Sequence, residues 1–271
     1  MVKPRLITLI TDFGTRDWFV GTMKGVIHGI ASNATVIDLT HEIPPGDIRA
    51  AAFALAVSYR FFPIPTVHVA VVDPGVGSSR RALAVETEGH VFVGPDNGVL
   101  SWALRREKIR GARFLENPDY FLKPISRTFH GRDIFAPVAA HLSCGVSIKK
   151  LGAEARDFVR LDWPEPKQTA RGLRGEVIYI DRFGNAITNL EAASLPKRGP
   201  LEVVLTGKRL CPVAQFYQAV APGRPVAVEG SSGFLELAIN SGNAARSLGI
   251  QVGSAVLVAP ARKPSLSAKH R

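Results

Sequence analysis

Over roughly the first 150 residues, short apolar runs alternate with stretches whose apolar residues recur at helical spacing. Leu6 to Thr11 is apolar, short and bounded by Asp12-Phe13-Gly14, which predicts a buried strand. From about Asp17, the residues Phe19, Met23, Ile27 and Ile30 mark one face of a helix. Thr35 to Leu39 predicts a second strand. The turn Pro44-Pro45-Gly46-Asp47 then caps a helix carrying Ile48, Ala51, Leu55 and Tyr59 on its apolar face. Thr66 to Val72 is a third strand, Ala82 to Thr87 with His90 to Val93 a hairpin, and Asp133 to Leu142 a further helix. Strands and helices in this alternation imply right-handed crossovers and a largely parallel sheet covered by helices.

The texture then changes. Trp163-Pro164-Glu165-Pro166 and the polar stretch to Gly172 read as a linker. Beyond it, strand-like runs occur at Glu176 to Ile180, Leu201 to Leu205, Pro225 to Val228, Phe234 to Ile239 and Ala255 to Val258, with one short helix at Asn243 to Leu248. Short strands separated by turn signals predict a small all-β barrel or sandwich. The expected organisation is an α/β domain at 1–160, a linker at 161–173, a smaller β domain at 174–260 and a basic tail at 261–271.

Bulk properties narrow the class. With 46% hydrophobic and 21% charged residues, the 271-residue chain has ordinary globular composition. No apolar run approaches the ~20 residues that cross a bilayer, and the N-terminal run leads into a strand rather than a signal-peptide cleavage pattern. Cys144 and Cys211 lie far apart outside any CxxC spacing, which fits reduced thiols in a cytoplasmic protein. The net charge of +11 raises a nucleic-acid reading. Its excess, however, sits in one cluster (Arg105, Arg106, Lys108, Arg110, Arg113) and in the tail (Arg262, Lys263, Lys269, Arg271). Neither interleaves aromatics, so a solvated face and a disordered tail are expected, with no nucleic-acid partner.

In parallel α/β sheets, ligands gather at the carboxyl ends of strands. Those ends here carry Asp12, Thr40-His41-Glu42 and Asp73. Asp12 alone could equally cap a helix. Asp73-Pro74-Gly75-Val76-Gly77 is more specific, because its glycines allow left-handed backbone or close approach and Ser78-Ser79-Arg80-Arg81 follows. Thr128-Phe129-His130-Gly131-Arg132-Asp133 forms a second dense spot at a helix entrance, a place that favours negative charge. In the β domain, Asp181-Arg182-Phe183-Gly184-Asn185 suits a flat heterocycle, with Phe183 stacking and Asn185 reading an edge, or else a bulged turn. Ser231, Glu236 and Ser241 place small polar groups around a later strand.

Other chemistries lack their motifs. Asp12-Phe13-Gly14 stands without a kinase phosphate loop, and no P-loop, GxGxxG or GxSxG is present. The seven histidines show no HExxH or HxxxH spacing, and no catalytic metal is expected.

ITDFG at 10–14, DLTHEI at 38–43, VVDPGVGSSRR at 71–81, GPDNG at 94–98, TFHGRDIFAP at 128–137, DRFGNAITN at 181–189 and GSSGFLELAINSGNAA at 230–245 occur in this order. Over nearly the whole chain the sequence resembles the S-adenosyl-L-methionine hydroxide adenosyltransferase family, relatives of the fluorinating and chlorinating enzymes. The resemblance implies hydrolysis of S-adenosyl-L-methionine to adenosine and L-methionine by attack of water or hydroxide on ribose C5′, without a cofactor. It also implies a homotrimer with sites at subunit interfaces. The water-handling group maps onto Asp73, Arg80 and His130; adjacent strand residues face opposite sides, so only one of Arg80 and Arg81 can point into the site, and the spacing in the family favours Arg80. Asp12 would hold the ribose hydroxyls, Phe183 and Asn185 the adenine, and Asp181 the methionine amino group, with Ser231, Glu236 and Ser241 completing the contacts. The halogenating relatives lack the Asp-Arg-His set, which puts this chain on the hydrolase side.

The chemistry agrees independently. A sulfonium leaves as a neutral thioether, so the difficult partner is the water, which must be aligned and made hydroxide-like. Arg80 supplies charge, His130 titrates near neutrality and Asp73 can orient either. Halide attack on the same carbon and a non-catalytic adenosine or S-adenosyl-L-methionine sensor are the alternative readings.

Overall fold

The structure, a computed structural model, describes residues 6–197 and 199–261. The chain divides into two compact units, Met1–Asp162 and Trp163–Arg271. Among the described residues of the first unit, β1 (Leu6–Thr11), β2 (Val36–Thr40), β3 (Thr66–Val71), β4 (Ala82–Thr87), β5 (His90–Pro95) and β6 (Ile109–Phe114) form one sheet in the order β2-β1-β3-β5-β4-β6. β2, β1, β3 and β5 run parallel, while β4 is antiparallel to both β5 and β6. The helices are α1 (Phe19–Ile30), α2 (Ile48–Ser58), α3 (Ser101–Leu104) and α4 (Ala136–Ser143).

Alternation along the central strands sorts the two faces of the sheet. Ile7, Leu9, Val67, Val69 and Val71 join Met23 and Ile27 of α1 and Val138 and Leu142 of α4 in one core. The intervening residues Thr8 and His68 face the other way, where a buried polar network runs across three strands. Thr8 Oγ1 and His68 Nδ1 are 2.7 Å apart, and His68 Nε2 lies 3.3 Å from His90 Nδ1. The edge of Tyr59 covers both imidazoles and Phe92. Burial pushes His68 down to about 3, because a charge there would lose its hydration.

The second unit contains β7 (Lys167–Thr169), β8 (Gly172–Ile180), β9 (Ala186–Glu191), β10 (Leu201–Leu205), β11 (Lys208–Ala214), β12 (Pro225–Glu229), β13 (Phe234–Ile239), α5 (Ala244–Leu248) and β14 (Ala255–Pro260). Its strands follow the order β14-β10-β11-β12-β13-β9-β8-β7, and β8 pairs back onto β14, so the sheet closes as a barrel. Closure depends on β8 serving two neighbours: Leu173 to Glu176 pair with β14, and Val177 to Ile180 with β9. Gly175 sits at that handover, where a Cβ would come within 2.2 Å of Asn189 Oδ1.

Three local expectations change. The helix expected from Asp133 begins instead as a π turn, Gly131–Phe135, and becomes α-helical at Ala136, next to Pro137 in its first turn. The segment read as a linker contains β7, whose three exposed residues pair with β8 without any apolar alternation to announce it. The basic cluster is solvated as expected, with Arg105, Arg106, Lys108 and Arg110 exposed, but part of it forms β6, an edge strand with Ala112 buried that the pattern does not predict. The expected basic tail lies outside the described residues from Arg262 onward. No helix among the described residues is long and apolar enough to cross a membrane.

Candidate active site

Asp73 is fixed from both sides. Asn97 Nδ2 donates to the Val72 carbonyl at 2.9 Å, fastening the end of the strand that delivers the acid. After it the chain turns tightly, with Val76 N donating to the Asp73 carbonyl. Gly77 at φ +77° then passes so close to the Arg127 carbonyl that a Cβ would lie 2.1 Å from it. That approach docks the Asp73 loop on the segment leading to His130, and so two distant parts of the sequence meet.

Where they meet, Arg80 grips Asp73 with a two-pronged fork. Nε donates to Oδ1 at 3.0 Å and Nη2 to Oδ2 at 2.5 Å. The other Nη2 hydrogen faces His130 Nδ1 at 3.0 Å, and Nη1 donates to the Arg81 carbonyl at 2.9 Å. Both side chains of the ion pair are buried, 8% and 5% exposed, and the guanidinium lies over Phe135. Burial raises the Asp73 carboxyl above its ordinary value, against the lowering effect of Arg80. The geometry is that of the ionised form, since both oxygens accept. Burial, then the Arg80 charge, holds His130 below its ordinary value, so it is neutral near pH 7. With Nδ1 accepting from arginine, its proton resides on Nε2. Arg81 points elsewhere, to Asp96 Oδ2 at 2.8 Å and the Asp157 carbonyl.

A cavity of about 580 Å³ opens on this cluster, lined in part by Asp12, Asp73, His130, Phe13, Phe19 and Phe129. Asp12 accepts from Gly46 N through Oδ2 at 2.8 Å, and nothing among the described residues engages its Oδ1. The end of β1 is held by Thr11 Oγ1 against His41 Nδ1 at 2.8 Å, with His41 backed by Asp38 and Asp38 by Lys24. The DLTHEI segment thereby positions Asp12. A Cβ at Gly131 would lie 3.1 to 3.3 Å from side-chain atoms of Met23, Phe129 and Phe13, which would have to give way by a few tenths of an ångström.

The second unit gathers the remaining residues into two clusters. In the turn between β8 and β9, Asp181 Oδ1 accepts from Phe183 N at 2.9 Å and Asn185 N at 2.8 Å, and Oδ2 from Asn185 Nδ2 at 3.0 Å. Phe183 stands on this turn 75% exposed. Glu236, on β13, is buried and receives the Tyr217 hydroxyl, and burial raises its carboxyl. Its Oε2 lies against Gly230, beside exposed Ser231. Ser241 follows β13 in the left-handed region at φ 59°, its hydroxyl 3.2 Å from Asn240 Oδ1. Sequence reasoning missed Tyr217 and Asn97: the first sits among exposed residues with no pattern, and the second does its work through a backbone carbonyl. Among the described residues no group of three His, Cys, Asp or Glu is arranged to hold a metal.

The fold and the cluster define a two-unit α/β and β-barrel protein with a buried Asp-Arg-His relay at the carboxyl edge of a mostly parallel sheet. The chain belongs to the S-adenosyl-L-methionine hydroxide adenosyltransferase family: the family's N-terminal domain model matches residues 7–152 and its C-terminal domain model residues 175–257. A Thermus thermophilus protein named (R)-S-adenosyl-L-methionine hydrolase is 42% identical over 261 residues, covering 93% of this chain and 98% of its own. A protein of the same name from Salinispora arenicola is 39% identical, covering 95% and 99%. A fluorinase from Actinopolyspora mzabensis is more distant, 28% identical over 93% and 96%. Among solved structures, an uncharacterized conserved protein from Thermotoga maritima superposes with a TM-score of 0.88 at 36% identity, covering 93% of this chain and 99% of that one.

Proposed function

We propose that this chain hydrolyses S-adenosyl-L-methionine to adenosine and L-methionine, and that its substrate is the R sulfonium epimer named for its relatives. The observation that carries the reading is the Asp73-Arg80-His130 relay beside a cavity of a size that holds small metabolites. The oxygen of water attacks C5′ in line with sulfur, the C–S electron pair leaves on the thioether, and one proton is released. The leaving group is neutral, so neither a general acid nor a cofactor is required.

The protein's task falls on the nucleophile. Asp73 fixes Arg80, and Arg80 stabilises developing hydroxide by charge in a poorly solvated setting. His130 is tied at Nδ1, so in this tautomer it orients the nucleophile by donating from Nε2 rather than accepting its proton. Asp12 Oδ1 takes the ribose hydroxyls. Phe183 and the open Oδ1 of Asn185 take the adenine face and its amino edge. Asp181 retains one of its roughly four lone-pair sites for the methionine ammonium, and Ser231, Glu236 and Ser241 complete the contacts. The reading extends to a homotrimer with sites at subunit interfaces, acting in the cytoplasm without nucleic-acid or membrane partners.

The test is product analysis in heavy-oxygen water, with each sulfonium epimer offered separately. Adenosine labelled at the 5′ hydroxyl, formed faster from the R epimer, is expected. Label elsewhere, 5′-haloadenosine in halide buffer, or saturable binding with no turnover would each refute it.

A further inference from the structure

Two cavities meet at His130. The front cavity is bordered by Asp12 and Asp73, and a second, of about 150 Å³, is bordered by Arg80, Ala82, Leu115, Glu116 and Ile134; His130 lines both. Arg80 lines only the smaller one. His130 is therefore shared by the two cavities, with Asp73 on the front one and Arg80 on the smaller.

That arrangement matters for a displacement reaction. A ligand filling the front cavity excludes bulk water from it, while in-line attack needs water on the face of C5′ away from sulfur. Of the five guanidinium hydrogens, four are committed to Asp73, His130 and the Arg81 carbonyl. The fifth, on Nη1, belongs to a group that borders only the small cavity. Its volume corresponds to a few waters at about 30 Å³ each. Arg80, Arg81, His130 and Glu116 line it beside four apolar residues, and these polar groups are the partners that water in such a space requires.

We infer that the small cavity behind Arg80 and His130 supplies the nucleophilic water and carries away its proton. The inference rests on the hydrolase reading. Water enters past Glu116 and Ala82, is held by Arg80 and His130, and forms the C5′–O bond as the C–S pair departs on sulfur. The proton returns to bulk solvent along the same path. Ala82 is the control point, because it is small, 7% exposed, on β4, and outside the relay.

Ala82→Leu fills the cavity and is expected to lower kcat about tenfold or more, as expected where positioning of the nucleophile limits the rate. KM for S-adenosyl-L-methionine and adenosine binding by calorimetry should stay as in wild type, while the thermal midpoint falls modestly because Ala82 belongs to the packed core. Ala82→Ser leaves the space open and should retain wild-type kcat. If the leucine variant does not fold, Ala82→Val is read by the same criteria. Unchanged kcat in a folded, filled variant, or a loss expressed in KM alone, overturns this inference while leaving the hydrolase reading intact. A wild-type chain that leaves S-adenosyl-L-methionine uncleaved overturns both.

Discussion

Acid should loosen this protein from the end of the sheet opposite its relay, through His68. In the folded chain burial holds that imidazole down at about 3, whereas in the unfolded chain it titrates near 6.5. Because the folded-state value is the lower one, the unfolded chain takes up the proton first. Stability is then complete above pH ~6.5 and is lost progressively as pH falls toward ~3. At ~1.4 kcal/mol per unit, the loss from this residue between pH 7 and pH 5 comes to about 2 kcal/mol. His90, also lowered by burial, adds in the same direction. The assay is urea denaturation at pH 7 and pH 5 at constant ionic strength, comparing wild type with His68→Gln. Glutamine keeps a polar partner near Thr8 but does not titrate, so the variant should lack about 2 kcal/mol of the wild-type acid loss. Parallel pH dependence in the two proteins would refute the reasoning. The same network spans β1, β3 and β5, whose carboxyl ends lead to Asp12, Asp73 and the Asp96-Asn97 turn.

Two further outcomes concern the site. Arg80→Lys keeps the charge but loses the fork that joins Asp73 to His130, so kcat should fall on the order of a hundredfold or more with KM little changed; steady-state kinetics checks this. Phe183→Ala should raise KM for S-adenosyl-L-methionine on the order of tenfold through lost stacking, while calorimetric unfolding stays near wild type because the ring is mostly exposed.

The parts of the fold that the sequence makes legible are those with one dominant pattern. β1 and β3 are apolar runs, and α1 buries Val20, Met23 and Ile27 at helical spacing. β9 was concealed because Thr188 and Asn189 are buried polar residues with partners, Leu235 O and Glu176 N, that lie far away in sequence. β6 was concealed by its arginines. At the site, the Asp-Pro-Gly turn and the His-Gly entrance were visible separately, but their meeting depends on the approach of Gly77 to the Arg127 carbonyl, which no local pattern contains. The carboxylate of Asp181 read as a ligand contact; its three internal N–H bonds show that it also builds the turn.

That turn has an entropic consequence. An exposed phenyl ring on a loose loop loses backbone freedom on every contact it makes, at roughly 1–2 kcal/mol for each residue ordered. Phe183 is displayed on backbone already immobilised by one carboxylate, so a planar partner meets a surface whose ordering was completed when the barrel folded.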